Sequence, residues 1–249
     1  MQAYLTVTRR ELSAIFCSLS GYVIIAVSAF LVGLTFYFLI DKLGTDPTEM
    51  PVTEIFYETP FFWIILLLAT PVITMRLFAL EKFSGTYETL MTTPVSDVAI
   101  VAAKFTSALI FYVAVWVPLF VCIFVLRHFS GDATLTDPGV LEGTFLGILL
   151  LGSVFISLGC FASSLTRSQT TAAIISLLFA ISLFLLSFLG EKVPGADWRA
   201  QVLSCFALRD QMTDFVRGVA DTRAIVLYLS VTFFFLFLTL RVVESRRWK

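Results

Sequence analysis

Residues 22–40 read YVIIAVSAFLVGLTFYFLI, from Tyr22 to Ile40 without a charged side chain. A bilayer core about 30 Å thick takes about 20 helical residues, so this stretch has the length and the apolar character of one crossing. Five further runs come close to the same template: Phe61 to Met75, Phe105 to Leu126, Thr144 to Leu165, Thr170 to Leu189 and Ala224 to Leu240. The second is the shortest, with Pro60 suited to its first turn and Arg76 able to snorkel at its far end. Composition agrees, because 58% hydrophobic residues, 14% charged residues and 26 Phe in 249 positions leave too little polar surface to coat a soluble domain. The sequence therefore predicts an all-α membrane protein, one domain over residues 1–249 with six transmembrane helices.

The first run follows some twenty residues that include Arg9, Arg10 and Glu11 and lacks a small-residue cleavage site, so it reads as a retained span. With the N-terminus inside, the inner segments hold Arg9, Arg10, Arg76, Lys82, Lys104, Arg167, Arg241, Arg246, Arg247 and Lys249. The outer ones hold Lys42 and Arg127, and the remaining basic residues lie in one long loop that weighs less in topology. Both termini are expected in the cytoplasm, with the chain multi-pass in the plasma (inner) membrane.

Several classes fall away. Net charge is −1, so no basic face invites nucleic acid. Cys17, Cys122, Cys160 and Cys205 lie in four segments without CxxC spacing and read as small apolar residues. The single His128, next to Arg127 at a span end, supplies no haem pair or metal cluster. Asp41, Glu81, Ala103, Glu191 and Trp248 precede the five lysines, never Gly, so no GxxxxGK[ST] loop is present. HExxH and GxSxG are absent too. A non-catalytic chain with no cofactor or metal of its own is expected. The runs hold essentially no ionisable side chain, which disfavours an ion-coupled carrier. What is left is an apolar bundle driven from outside itself, or a passive scaffold.

Between the runs lie patterned segments. In residues 1–20, Tyr4, Leu5, Val7, Leu12, Ile15 and Phe16 alternate with Thr6, Arg9, Arg10 and Glu11 at helical spacing, which suits an amphipathic helix on the inner membrane surface rather than a frayed leader. The fourth run carries Gly143, Gly147, Ser153, Ser157, Gly159 and Ser163, small residues that let helix backbones approach, within the chain or between subunits. A short turn at Arg167-Ser168-Gln169 makes the fourth and fifth runs an antiparallel pair. Pro118 is placed to kink the third. In the outer loop, residues 190–223, Val202, Phe206, Leu208, Met212, Phe215, Val216 and Val219 recur at three- and four-residue steps. They predict an amphipathic helix ended by Gly218, with Asp221 or Thr222 capping the sixth span. That helix reads equally as an outer gate or as a lid over span ends.

The loop at residues 78–97 has the most definite grammar. Phe78 and Leu80 continue the second span, Gly85 allows a break, and Ser84 or Thr86 can cap a short helix. Glu88 suits the first turn, Leu90 and Met91 give an apolar knob, Pro94 stops it, and Ser96-Asp97 start the helix of the third span. A stub continuous with two spans would pass an external push into the bilayer.

This stretch resembles the coupling-helix region of type-2 ATP-binding-cassette (ABC) exporter permeases, an acidic residue followed by Gly-Thr, Glu-x-Leu and a later Pro. Glu81, Gly85, Thr86, Glu88, Leu90 and Pro94 match it. Nearly the whole chain looks like the gliding-motility-associated branch: Arg10-Glu11-Leu12 ahead of the first span, Phe215-Val216-Arg217-Gly218-Val219 with Asp221-Thr222-Arg223 before the last, and residues 241–248 at the end. Ser18-Leu19-Ser20-Gly21 departs from it, since members usually have a Pro after the Ser.

The resemblance implies a half-transporter that pairs with a second permease copy or paralogue. Glu81, Gly85, Thr86, Glu88, Leu90, Met91 and Pro94 would touch a separate ABC ATPase, which binds the ATP and Mg. Arg9, Arg10 and Glu11 would belong to an interface helix, and Phe206, Met212, Phe215, Arg217 and Gly218 to an external gate. Membrane lipid and an extracytoplasmic accessory protein complete the implied partners. The competing class is a six-span scaffold or assembly subunit without transport. Thr35, Ser107, Ser153 and Ser176 suit helix–helix hydrogen bonds as well as a cargo path.

Overall fold

The computed structural model describes residues 2–45, 52–87, 95–130, 138–192 and 207–247. These form helices α1 (Gln2–Phe16), α2 (Leu19–Thr45), α3 (Val52–Glu58), α4 (Pro60–Thr74), α5 (Ala79–Ser84), α6 (Asp97–Val115), α7 (Val117–Ser130), α8 (Pro138–Leu165), α9 (Gln169–Lys192), α10 (Leu208–Val216) and α11 (Thr222–Arg247). No strand occurs among the described residues. Six helical stretches are long and apolar enough to cross a membrane: Leu19–Lys42, Pro60–Ser84, Asp97–Phe129, Gly139–Leu165, Gln169–Phe188 and Thr222–Ser245. They coincide with the six runs. Six crossings return the chain to the side it left, so one end of the bundle carries α1, α5 and the C-terminal end of α11, and the distal end carries α3 and α10.

The fourth span is the axis of the bundle. Its core window is 78% buried, against 22% for the first and fifth spans and 17% for the sixth, so those three leave most of their surface for lipid or another chain. Small residues make the central position possible. A Cβ on Gly152 would fall 2.1 Å from the Tyr112 ring of α6, and one on Gly159 would fall 2.1 Å from Thr74 Oγ1 of α4. Gly147 lies against Met212 and Gly143 against the Phe215 carbonyl, both in α10. At Gly143, Gly147 and Gly159 the small-residue pattern serves packing inside the chain, and Gly152 does the same outside that pattern. Of the hydroxyls named as helix–helix bridges, Ser153 Oγ meets Thr232 Oγ1 of α11 at 3.1 Å. Thr35 and Ser107 instead bond back to Leu31 and Lys104 within their own helices.

One feature departs from the sequence expectations, while the kink expected at Pro118 is present. The second span does not run straight past the surface: it stops at Thr74, turns through residues 75–78 and resumes as α5. Pro71 lies one turn before that stop and withholds a backbone N–H from the ladder. The third span breaks at Trp116, two residues before Pro118, and the Trp116 N–H bonds to the Val113 carbonyl at 3.1 Å. Of the outer-loop pattern, α10 takes in Leu208, Met212, Phe215 and Val216, while Val202 and Phe206 lie outside the described residues. Its predicted ends hold: Gly218 has φ +81°, and Asp221 Oδ1 accepts from the Arg223 N–H at 2.9 Å.

Candidate functional site

At the end that carries the termini, Gly85 and Ser96 stand where the spacing predicts a break and a helix start. Gly85 ends α5 with φ +75°, a left-handed conformation open to glycine without steric penalty. Open space surrounds its Cα, so backbone angle rather than crowding explains the residue. Ser84 and Thr86 share a hydroxyl hydrogen bond of 2.8 Å beside it. Lys82 Nζ donates to the Ser164 carbonyl and lies 5.3 Å from the Tyr87 ring centroid. On the far side of the loop, Ser96 caps α6 by accepting from the Ala99 N–H. Glu88, Leu90, Met91 and Pro94 lie outside the described residues.

Beneath that loop lies a cluster of four charges. Lys104, in the second turn of α6, is fully buried. Its ammonium meets Glu11 Oε1 at 3.1 Å, Glu81 Oε2 at 2.9 Å and the Leu77 carbonyl at 2.6 Å, with the Phe78 ring 5.3 Å away. Arg10 Nη2 closes the ring from the outside, at 2.7 Å from both Glu11 and Glu81. Burial pushes the Glu11 carboxyl up, and Lys104 and Arg10 more than offset it, so the group titrates below the usual carboxylate range. Two cations and two carboxylates balance, which is what allows the group to sit at a buried junction.

The interface-helix residues thus separate. Arg9 and Arg10 are exposed, as an amphipathic face requires, but Glu11 turns inward. Helix α1 does not lie alone on a surface: it packs along the root of α6, with Tyr4 Oη donating to Thr106 Oγ1 at 2.9 Å and Phe16 edge-on to Phe111. Lys104 reads in the sequence as one more basic residue of an end segment. The signal that finds it is the cap at Ser96, because eight residues at 1.5 Å each put Lys104 about 12 Å along the helix.

The turn at residues 75–78 is held by its neighbours. Ser163 Oγ, from α8, accepts from the Phe78 and Ala79 N–H groups at 3.1 and 3.2 Å and donates to the Met75 carbonyl at 3.2 Å. Lys104 takes the Leu77 carbonyl. Polar backbone freed by the break is therefore satisfied by the third and fourth spans.

At the distal end, α10 lies over α8, and α3 clamps it. Arg217 forks onto Glu54, with Nη2 to Oε1 at 2.6 Å and Nε to Oε1 and Oε2 at 3.1 and 3.2 Å, and the Glu54 side chain is 5% exposed. Tyr57 Oη donates to the Arg209 carbonyl at 2.7 Å and Thr53 Oγ1 to the Val216 carbonyl at 3.2 Å. Met212 and Phe215 are buried beneath α10, while Gly218 turns the chain toward α11. The structure thus brings together Met212, Phe215, Arg217 and Gly218. Phe206 lies outside the described residues. Nothing local in the sequence separates Glu54 from Asp46, Glu49 and Glu58 around it.

Residues 48–232 match the family described as ABC-2 family transporter protein. The chain belongs to that family. A comparison with curated proteins finds no match. ABC-2 proteins are membrane transport subunits that act with an ABC ATPase, and this one is a multi-pass membrane protein with six apolar helices of spanning length. The ABC-2 match runs from before α3 into α11, so it takes in Glu54, Glu81, Lys104 and Arg217 and leaves Arg10 and Glu11 outside.

Proposed function

We propose that this chain is the permease subunit of an ATP-driven exporter of the gliding-motility-associated branch, in which residues 78–97 are the coupling helix that docks on a separate ABC ATPase. Gly85, Thr86, Glu88, Leu90, Met91 and Pro94 form the docking surface, with Glu81 at its root. The observation that carries the reading is where that stretch stands in a chain of the ABC-2 family: α5 follows the second span after the turn at residues 75–78, and Ser96 opens the helix of the third. ATP and Mg bind the partner, closure of the ATPase pair shifts the stub, and the third span receives the displacement.

On this reading both termini are cytoplasmic and the chain sits in the plasma (inner) membrane. It pairs with a second copy or a paralogue through faces left open on the first, fifth and sixth spans. Helix α1 is the interface helix, and α10 with α3 forms the external gate, open to an extracytoplasmic accessory protein. The test is purification of the tagged chain from its own membranes. A nucleotide-binding subunit should copurify, and should be lost from Glu88→Arg and from a deletion of Gly85 and Thr86. Absence of any such subunit from the unaltered chain would point to the six-span scaffold instead.

A further inference from the structure

Burying an ammonium is unfavourable, and replacing a buried ion cluster by apolar side chains of similar size is often neutral for stability. A cluster of paired charges does something apolar packing does less well: it favours one arrangement of the segments that supply its members. Here the members come from four places. Glu11 belongs to α1, Leu77 to the turn that interrupts the second span, Glu81 to α5, and Lys104 to the root of the third span. Arg10 seals the two carboxylates against water from outside. The turn at residues 75–78 is also where the second span would hinge, because its helical ladder is interrupted there.

We infer that Lys104 is a positioning residue that fastens α1, the stub α5 and the root of the third span into one lever, so that a push on the loop after α5 moves them together instead of bending the second span at residues 75–78. The inference deepens the coupling reading and rests on it for its consequence in transport, but the fastening itself is a property of this chain alone. Lys104 touches no nucleotide and no cargo; it acts through Glu11, Glu81 and the Leu77 carbonyl.

The experiment uses the full chain in lipid nanodiscs, with the four native cysteines replaced and spin labels at the exposed positions Arg9 and Phe83. Lys104→Met alone leaves two buried carboxylates facing each other and can fail to fold. The informative variant is therefore Glu11→Gln/Glu81→Gln/Lys104→Met, which removes the three inner charges together and leaves the exposed Arg10 in place. The unaltered chain should give one narrow label-to-label distance, and the triple variant more than one population at unchanged thermal stability. With the partner ATPase bound, ATP turnover per bound ATPase should fall about tenfold in the triple variant, a coupling loss within the usual range. A single narrow distance in the triple variant would overturn the inference, and so would normal turnover. If the unaltered chain binds no ATPase, the coupling reading fails and the distance measurement alone still decides the lever.

Discussion

At the scale of single residues, the side chains that matter most are those that complete a backbone the helices leave unpaired. Ser163 satisfies two N–H groups and one carbonyl of the turn at residues 75–78. Ser163→Ala strands both donors in a buried place, and each costs about 1–3 kcal/mol when unmet. Detergent-titrated unfolding of the purified chain should register a loss of about 2 kcal/mol or more, and an unchanged midpoint would contradict this role. Gly85 makes a different demand. With φ +75° and open space around it, Gly85→Ala meets no clash but takes on the roughly 1–2 kcal/mol left-handed penalty, whereas Gly85→Asn retains most of the stability. Comparing the two variants in the same titration separates backbone strain from crowding. Glu11 adds a pH dependence: its carboxyl titrates lower in the folded chain than in an unfolded one, where the value is about 4.3. Its contribution is therefore complete above that value and fades as pH falls through the folded one. Hydrogen exchange of residues 2–16, corrected for intrinsic rates, should stay flat from neutral pH to about 5 and rise below about 4. Glu11→Gln should flatten the curve.

At the scale of elements, the ends of helices and the break beside Pro118 were legible, and the break in the second span was not. Ser96, Gly85, Gly218 and Asp221 each announce a terminus by a side chain or a backbone preference that acts within a few residues, and all four do so in the structure. The turn at residues 75–78 is different in kind. Its carbonyls and N–H groups are answered by Ser163 and Lys104, 85 and 27 positions away in the chain, so no local pattern announces it. The pairing of α3 with α10 was hidden for the same reason, because Glu54 and Arg217 are 163 positions apart. Arg217→Ala would leave the Glu54 carboxylate buried without its fork. Hydrogen exchange across residues 208–216 should then quicken while α9 and α11 keep their protection. Equal protection in the variant would show that apolar contact alone holds α10 down.

For the molecule as a whole, six spans and their order follow from apolar length, because a bilayer leaves few alternatives. Which span sits in the middle follows from side-chain size, which the fourth run displays openly in its glycines and serines. Stability should track that arrangement. Leu151, fully buried in the central span, should cost about 2 kcal/mol or more when cut to Ala. Leu178 and Phe233, 61% and 67% exposed on the fifth and sixth spans, should change the unfolding midpoint little when substituted in the same way. Comparable losses at the buried and exposed sites would mean that the outward faces are covered by a second chain in the purified particle.

The glycines of the central helix also bear on how the protein is made. Gly152 and Gly159 meet Tyr112 and Thr74, which the ribosome has already delivered when the fourth span emerges, whereas Gly143 and Gly147 wait for Phe215 and Met212. A nascent chain ending soon after Leu165 thus already owns one half of the seam and lacks the other. In order of synthesis, the partners at the end that bears α1 are available before those at the opposite one.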